Sequence, residues 1–205
     1  MKFKIIKWGL IIVVLAGGAV LIFQNADKFS GLSVSAKESI KLVDTSISGN
    51  LATPAKGDIG LPVSILIPSI KVNAAIDAVG LLPDGSMGVP KIPSKAAWFE
   101  LGPRPGEVGS AVISGHVNWW NGATGSFAKL NKLKPGDRVS VKDDKGQIIS
   151  FIVRQSREYL SNEDATNVFF SNDGQAHLNL ITCAGVWNKS AKQYTKRLVI
   201  FTDRE

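Results

Sequence analysis

Three residues of this 205-residue chain, Cys183, His116 and Arg197, have side chains that could form a thiol active site. Cys183, the only cysteine, ends the apolar run Leu178–Cys183, and Arg197 begins a second apolar run, Arg197–Phe201. The polar stretch between them, Ala184–Thr195, has the composition of a loop. If the two runs pair as antiparallel strands, the end of the first lies beside the start of the second. A thiol and a permanently charged guanidinium would then share one rim of a sheet, as a candidate catalytic pair.

The alternative for Cys183 is a structural role, since most unpaired cysteines are small buried apolar residues. Two features favour a reactive thiol instead. Cys183 ends its apolar run rather than lying within it, and it is the single cysteine of a chain that we expect to be exported, where an unpaired thiol is a candidate for reactivity.

The chain has two histidines that could serve as the base. His116 directly follows the β-rich run Gly109–Gly115, in which Gly115 permits a turn or a close approach to a neighbouring strand. His177 begins a strand and alternates with Asn179 and Ile181, so we expect it to face solvent. A cysteine and a histidine from distant positions are the usual form of a thiol active site, which favours His116 as the base.

The amino terminus has the pattern of a membrane anchor. Three lysines precede the uncharged run Trp8–Phe23, and the segment from Ile5 to Gln24 is about 20 residues, or about 30 Å of helix, long enough to cross a bilayer. The lysines predict an amino terminus inside the cell and a single-pass protein in the cell membrane with its remainder outside. A cleaved signal peptide is the alternative, disfavoured because Val20–Phe23 continues the apolar run beyond the small residues 16–19.

The charge distribution of the sequence does not predict a nucleic-acid partner. The net charge is +7 and the first 24 residues hold three lysines and no acids, so the exported part carries 7 − 3 = +4. No dense basic block interleaved with aromatic residues is present, so nucleic-acid binding is not predicted. The surplus fits work near anionic lipid or an anionic cell wall.

Composition divides the chain into three parts. Residues 1–24 are the predicted cytoplasmic tip and transmembrane anchor. Residues 25–57, rich in Ser, Lys, Asp, Thr, Gly and Ala, are a predicted stalk in which Ser35–Val43 has the pattern of a short helix. Residues 58–205 have the size of one ordinary domain.

That domain is predicted to be mainly β, a barrel or sandwich of many short strands. Asp144-Lys145-Gly146 indicates a hairpin, and only Gly125–Leu133 has helical spacing. The predicted strands are Val63–Ile67, Ala75–Val79, Ala111–Ser114, Arg138–Lys142, Gln147–Arg154, His177–Thr182 and Leu198–Phe201.

Four segments together resemble the sortase family of cysteine transpeptidases from bacterial envelopes. They are Pro105–Val117, Phe127–Asp137, Leu180-Ile-Thr-Cys183 and Arg197-Leu-Val-Ile-Phe201, within a resemblance that covers about residues 60–203. The pattern is most similar to the class D, E and F members, class F in particular. One departure is Asn179, where the family often has the first Thr of Thr-Leu-X-Thr-Cys, and it bears on the subclass.

The resemblance implies an eight-stranded sortase-type β-barrel with short helices, in which three residues line one groove. Cys183 would attack a sorting signal similar to Leu-Pro-X-Thr-Gly and form a thioacyl-enzyme. His116 would protonate the departing amine and deprotonate the incoming one, and Arg197 would hold the substrate and the oxyanion. Thr182 would support substrate or oxyanion through its backbone or hydroxyl.

The implied partners are surface proteins that bear a sorting signal, and an amine of a peptidoglycan precursor or of a pilin lysine. Trp119, Trp120 and Trp187 follow His116 and Cys183 closely, so they either wall the groove or pack structurally. From the ordinary pKa values of cysteine and histidine, roughly 1% of the singly protonated pair would be the thiolate–imidazolium form. Low turnover is therefore expected unless mutual attraction or Arg197 raises that fraction.

No cofactor is predicted. A calcium site is the alternative, because two acids, Glu163 and Asp164, lie close together in the sequence. They are in the connection Glu158–Gln175, which the resemblance places beside the signal pocket. A calcium site requires six or more oxygen ligands, and two acids in a solvated loop usually do not form such a site. Residues 161–166 have the pattern of a cap for a short helix.

Two rival functions remain. An L,D-type transpeptidase would want a His-Gly-Cys step with an arginine two residues after the cysteine, whereas this chain has Thr182-Cys183-Ala184 and Arg197 fourteen positions on. A membrane-tethered β-barrel that binds without catalysis, or with weak catalysis, is the non-enzymatic alternative, and a thiol-reactive probe distinguishes it.

Overall fold

The structure is a computed structural model that describes residues 59–205. The predicted anchor, the predicted stalk and the predicted helix Ser35–Val43 lie outside the described residues. Within the described range, none of the helices has the length and apolarity needed to span a membrane.

Eight strands close into one barrel, in the order β1-β2-β3-β4-β7-β8-β6-β5. Most neighbours are antiparallel, but β2 pairs with β3 and β4 with β7 in parallel. The strands are β1 (Pro62–Ile67), β2 (Val72–Val79), β3 (Ala96–Phe99), β4 (Gly109–Gly115), β5 (Arg138–Asp143), β6 (Ile148–Leu160), β7 (Ala176–Asn188) and β8 (Gln193–Arg204). One short helix, α1 (Thr166–Phe169), and two single 3-10 turns, Pro68–Ile70 and Leu130–Lys132, complete the described elements.

Strand alternation gives the barrel two apolar layers. Side chains that point inward, such as Ile113 of β4 and Leu180 of β7, form the core of the barrel. Those that point outward from the same strands, such as Val112 and Ile181, pack with Tyr159 and the residues around α1 in a second buried cluster. Because successive residues of a strand face opposite sides, Cys183 shares the outer face of β7 with Ile181.

All seven predicted strands are present, with longer boundaries than the sequence indicated. The eighth, β3, was not predicted. Its sequence Ala-Ala-Trp-Phe is apolar throughout and buried, so it lacks alternation, and alanine is a poor strand former. Parallel pairing with β2 and antiparallel pairing with β4 hold it in the barrel.

Two predictions of local structure were wrong. Gly125–Leu133 is a series of turns with one 3-10 turn rather than an α-helix, although its three spaced apolar residues, Phe127, Leu130 and Leu133, are all buried in the barrel core. The polar stretch Ala184–Thr195 is mostly strand, because β7 and β8 continue pairing until Asn188 meets Gln193. Cross-strand hydrogen bonds stabilise this hairpin despite its loop-like composition.

The predicted hairpin at Asp144-Lys145-Gly146 is confirmed as the β5–β6 turn. Asp143, 1% exposed, stabilises it with its carboxylate. One oxygen accepts the backbone N–H groups of Lys145 and Gln147, and the other accepts that of Gly60, just before β1. One buried side chain therefore joins the hairpin to the start of the barrel.

The prediction that His177 faces solvent was wrong, because its side chain is only 10% exposed. Its Nδ1 lies 2.8 Å from Asp203, its register partner on β8, and its Nε2 lies 2.9 Å from Asp173 in the preceding loop. Two carboxylates therefore contact the ring and cover it. The alternation of side chains along a strand does not predict partners of this kind. His177 is six residues before Cys183 on β7, about 20 Å away, and so lies away from the thiol.

Candidate active site

The pairing of β7 with β8 brings the thiol and the guanidinium together. Cys183 and Arg197 are register partners across this antiparallel pair, as the sequence predicted. Arg197 is 1% exposed, and Cys183 is partly buried on the outer face of the barrel. Their side chains interact electrostatically, so each senses the charge of the other.

A β-bulge directly follows the cysteine. The β7–β8 register shifts between Ala184 and Trp187, and Gly185 in this interval has a φ of +76°. A Cβ on Gly185 would lie 2.5 Å from Thr195 Oγ1, which accepts the N–H of Val186. The bulge requires glycine for both reasons, and it alters the direction of the hairpin beyond Cys183.

The end of β4 positions His116. A Cβ on Gly115 would lie 2.6 Å from the ring of Phe127, so the glycine permits the close approach expected from the sequence. The backbone N–H of Phe127 donates to the carbonyl of His116 at 2.9 Å, and a Cβ on Gly125 would lie 2.0 Å from that carbonyl oxygen. Two glycines thus let residues 125–127 fold directly against the histidine.

The imidazole of His116 is held from two sides. Its Nε2 lies 2.8 Å from the carbonyl oxygen of Pro90, and its ring meets the ring of Trp119 edge-on with centroids 4.8 Å apart. A carbonyl oxygen only accepts hydrogen bonds, so Nε2 carries a proton. In the neutral ring, Nδ1 is therefore the nitrogen with a free lone pair.

Thr182 links the two strands that lead to Cys183 and His116. It is 2% exposed, and its hydroxyl donates to the carbonyl of Gly115 at 2.9 Å. These two residues directly precede Cys183 and His116. The Thr182 hydroxyl is therefore committed to holding β7 against β4, which leaves its backbone as the part available to a substrate.

Cys183, His116 and Arg197 open onto one cavity of about 540 Å³. Trp119 and Trp187, both predicted as wall residues, line it. The rings of Trp187 and Tyr194 pack edge-on across the β7–β8 hairpin with centroids 5.3 Å apart. The remaining lining residues are Val117, Asn118, Trp120, Lys192, Gln193 and Tyr194.

Burial favours the neutral forms of the thiol and the imidazole. It raises the pKa of Cys183, and the opposing attraction of Arg197 does not cancel that effect. Burial also lowers the pKa of His116, and the hydrogen bond to Pro90 offsets this only in part. Since the two pKa values move apart, the thiolate–imidazolium form is scarcer than the ordinary values imply.

Arg197 retains a free donor. Its Nη1 donates to the carbonyls of Tyr194 and Lys196 at 2.9 and 2.8 Å, which fixes the side chain along the start of β8. Its Nε is buried and has no hydrogen-bond partner among the residues that the structure describes. Burial lowers the pKa of Arg197, and the Cys183 thiolate opposes this, but an arginine remains charged at any working pH. An unsatisfied charged donor beside a nucleophile is suited to an oxyanion or a substrate carbonyl.

The two acids considered for calcium have local partners. Glu163 accepts from the guanidinium of Arg157 at 2.7 Å and from the N–H of Leu160 at 3.0 Å. Asp164 accepts both the N–H and the hydroxyl of Thr166. The predicted short helix is present as α1, but its N-cap residue is Ala165, which forms no side-chain cap. Among residues 59–205, no group of three or more His, Cys, Asp or Glu side chains is arranged to hold a metal ion.

Comparison with protein-family models identifies the chain. A model described as the sortase domain matches residues 65–205, which is most of the sequence. The chain belongs to the sortase family. Members of this family are cysteine transpeptidases, in agreement with the thiol site described above. No curated protein matches the chain significantly.

Solved sortases share its fold. Sortase C-1 from Actinomyces oris is 24% identical over 70% of this chain and 74% of its own, with a TM-score of 0.55. Sortase C1 from Streptococcus agalactiae, solved in complex with MTSET, is 21% identical over 71% and 69%, with a TM-score of 0.56. A lid mutant of sortase A from Corynebacterium diphtheriae is 20% identical over 74% of each chain, with a TM-score of 0.54. The expected class D, E or F membership stays a prediction.

Sequence reasoning missed three contributors to this sortase site. Pro90 acts through its backbone carbonyl, Tyr194 lies within the stretch expected to be loop, and Gly185 forms the bulge. The single available signal was Gly185 itself, since an isolated glycine after a strand often marks a bulge. The partners of a backbone carbonyl depend on tertiary structure alone.

Asn179, the departure from the family pattern, lies on the outer face of β7 and is 2% exposed. Its Nδ2 donates to the carbonyl of Val168 in α1 at 2.6 Å, while its Oδ1 is buried and has no partner within residues 59–205. In this sortase the residue therefore joins β7 to the connection that precedes it.

Proposed function

We propose that this chain is an active sortase, anchored in the cell membrane by residues 1–24 with its catalytic domain outside. It cleaves a sorting signal similar to Leu-Pro-X-Thr-Gly through a thioacyl-enzyme on Cys183. It then transfers the signal-bearing protein to an amine of a peptidoglycan precursor or of a pilin lysine.

One observation carries this proposal. Cys183 and Arg197 face each other across β7 and β8, and they share one cavity with His116. The cavity therefore collects a nucleophile, a base whose proton-accepting nitrogen is free, and an unpaired charged donor. A protein that only binds peptides needs none of these three together.

The chemistry follows from the proton positions. His116 Nδ1 takes the proton of the Cys183 thiol, and Sγ attacks the scissile carbonyl carbon. The carbonyl oxygen becomes an oxyanion, which the positive charge of Arg197 stabilises. The C–N bond then breaks as Nδ1–H protonates the leaving amine, and a thioester remains.

The second half runs in reverse with a new amine. The amine nitrogen attacks the thioester carbon while His116 Nδ1 takes its proton. The tetrahedral intermediate collapses, the C–S bond breaks, and Cys183 recovers its proton as a thiol. A scarce thiolate–imidazolium form makes the first attack slow, in line with the low turnover expected from the sequence.

The alternative is a barrel that binds with weak or absent catalysis. Raised thiol pKa and lowered imidazole pKa are the observations in its favour, because both reduce the reactive ion pair. Thioester formation separates the two functions. An inactive barrel has a Cys183 that forms no thioester with a signal peptide and leaves the peptide uncleaved.

The test uses the full chain in detergent with a quenched library of Leu-Pro-X-Thr-Gly peptides and an added amine. Intact mass detects the thioester on Cys183, and fluorescence measures cleavage. We expect cleavage to vanish in Cys183→Ala, to fall about 10²- to 10⁴-fold in His116→Ala, and to fall about 10²- to 10³-fold in Arg197→Ala.

Matched controls separate chemistry from folding. His177→Ala removes the other histidine, and Arg154→Ala removes an exposed arginine that pairs with Asp203 at 3.3 Å. Both should retain cleavage. A folded protein that gives no adduct and no cleavage with any peptide would contradict the proposal and favour the binding module.

A further inference from the structure

Exposed apolar side chains lie around the mouth of the catalytic cavity. Trp120 is 86% exposed and Trp187 is 49% exposed, and both line the cavity that contains Cys183. Val186, beside Trp187 on the β7–β8 hairpin, is 74% exposed. Large apolar side chains grouped on two neighbouring loops usually mark an interaction surface.

The same mouth is basic. Lys189 and Lys192 lie at the tip of the β7–β8 hairpin, and Lys192 lines the cavity. No Asp or Glu occurs in residues 108–136 or 174–202, which supply both loops of the mouth. On the neighbouring strand, Glu158 is engaged by Lys196 at 2.7 Å, so its charge is matched locally.

Four acidic groups lie away from the mouth. Asp143 and Asp144 are at the β5–β6 turn, and Asp173 and Asp203 surround His177. His177 is six residues before Cys183 on β7, so Asp173 and Asp203 lie about 20 Å from the thiol. The mouth itself combines exposed tryptophans with two lysines.

We propose that the mouth, defined as Trp119–Trp120 with Val186–Lys192, docks on a bilayer surface that contains anionic phospholipid. Tryptophan prefers the interface between lipid and water, where its ring is in apolar surroundings and its N–H reaches a polar partner. Lysines close to such a surface are attracted by its negative potential. Trp120 and Val186 supply the apolar insertion, and the two lysines supply the electrostatic attraction.

A soluble anionic polymer fits the mouth less well. It would account for the lysines, but it would leave the apolar side chains of Trp120 and Val186 exposed to water. Insertion into the headgroup layer removes both from water. Docking does not require transpeptidation, so it can be tested whether or not the proposed activity is found. If both hold, an amine acceptor presented at the membrane surface reaches Cys183 through a mouth that already lies there.

The experiment follows Trp120 in the full chain reconstituted into vesicles that contain brominated phosphatidylcholine, with and without phosphatidylglycerol. Bromine quenches only tryptophans in contact with the bilayer. The contribution of Trp120 is the difference between the wild type and Trp120→Phe, which removes the contribution of the other tryptophans. We expect most of this contribution to be quenched when phosphatidylglycerol is present.

Charge variants test the electrostatic half. Lys189→Gln with Lys192→Gln should lower the docked-to-free ratio by roughly fivefold per lysine and restore Trp120 emission. Lys142→Gln with Lys145→Gln makes the same charge change beside the β5–β6 turn, away from the mouth. This control should leave the quenching of Trp120 unchanged.

Three results would overturn the proposal. Trp120 unquenched in both lipid mixtures would exclude contact with the bilayer. Equal quenching without phosphatidylglycerol would exclude recognition of anionic lipid. A change in Trp120 emission caused by soluble polyphosphate, with no quenching by brominated vesicles, would assign the mouth to a phosphate polymer.

Discussion

The Nε2 atom of His116 lies 2.8 Å from the carbonyl oxygen of Pro90, a residue 26 positions earlier in the connection between β2 and β3. Because that oxygen only accepts, the bond fixes the ring as the Nε2–H tautomer and leaves Nδ1 as the nitrogen that can accept a proton. A backbone group cannot be removed by ordinary substitution, so the tautomer must be observed directly.

Nitrogen-15 NMR of the imidazole provides that observation. In the neutral ring of His116 we expect a protonated Nε2 and an unprotonated Nδ1, assigned by the loss of the signals in His116→Asn. The pKa of His116 is below its ordinary value of 6.5, so the neutral form predominates at neutral pH. A neutral ring with the proton on Nδ1 would contradict the assignment and the proton path built on it.

The reactivity of Cys183 should depend on pH in a direction set by burial. Its pKa is raised, so half-maximal alkylation by iodoacetamide should occur at a higher pH than for a free cysteine peptide measured alongside. Arg197→Gln removes the attraction that favours the thiolate and should move that midpoint higher still. Arg154→Gln, an exposed arginine, is the matched control. A midpoint below that of the peptide would contradict this prediction.

The pH profile of cleavage should have widely separated limbs. The reactive pair needs a protonated His116 and an ionised Cys183, and its fraction is constant between the two pKa values and falls outside them. A lowered histidine pKa puts the acid limb below 6.5, and a raised thiol pKa moves the basic limb upward. These limbs belong to the coupled pair, and they are measured as kcat/KM against pH. A narrow maximum near neutral pH would contradict the prediction.

The sequence predicted the positions of Cys183, Arg197 and His116 better than their surroundings. The pairing of Cys183 with Arg197 follows from strand ends that meet at a sheet rim, and the resemblance to sortases implied that His116 shares their groove. His177 was misjudged because its burial depends on Asp173 and Asp203, whose positions come from a loop and another strand. The Ala184–Thr195 hairpin was misjudged because backbone pairing, rather than side-chain composition, stabilises it.

The Asp143 carboxylate should stabilise the domain in a pH-dependent way. Burial by itself would raise the pKa of Asp143, but hydrogen bonds from Gly60, Gln147 and Lys145 hold it below its usual value of 3.8. A lowered folded-state pKa means that this stability is present above 3.8 and is lost as pH falls through the folded-state value. The midpoint of urea unfolding in Asp143→Asn should therefore fall at neutral pH and approach that of the wild type in acid.

Asp144→Asn is the control for that comparison, since the Asp144 side chain accepts only the N–H of Leu61 at 2.8 Å. Its effect at neutral pH should be smaller. Equal losses in the two variants would show that the three converging N–H groups contribute nothing beyond a single exposed hydrogen bond.

The bulge at Gly185 should be sensitive to a single methyl group. Gly185→Ala must adopt a φ of +76° and place its Cβ 2.5 Å from Thr195 Oγ1. Gly122→Ala is a matched control, because its φ is +83° but nothing lies within 4 Å of the added Cβ. The backbone strain of about 1–2 kcal/mol is common to both, so any further loss of stability in Gly185→Ala reports the contact with Thr195.

We expect Gly185→Ala to be the less stable variant in urea and to lose more activity, because displacement of Thr195 moves the hairpin that carries Trp187 and Tyr194 over the cavity. Equal stability and equal activity of the two variants would mean that the bulge adapts without altering the site.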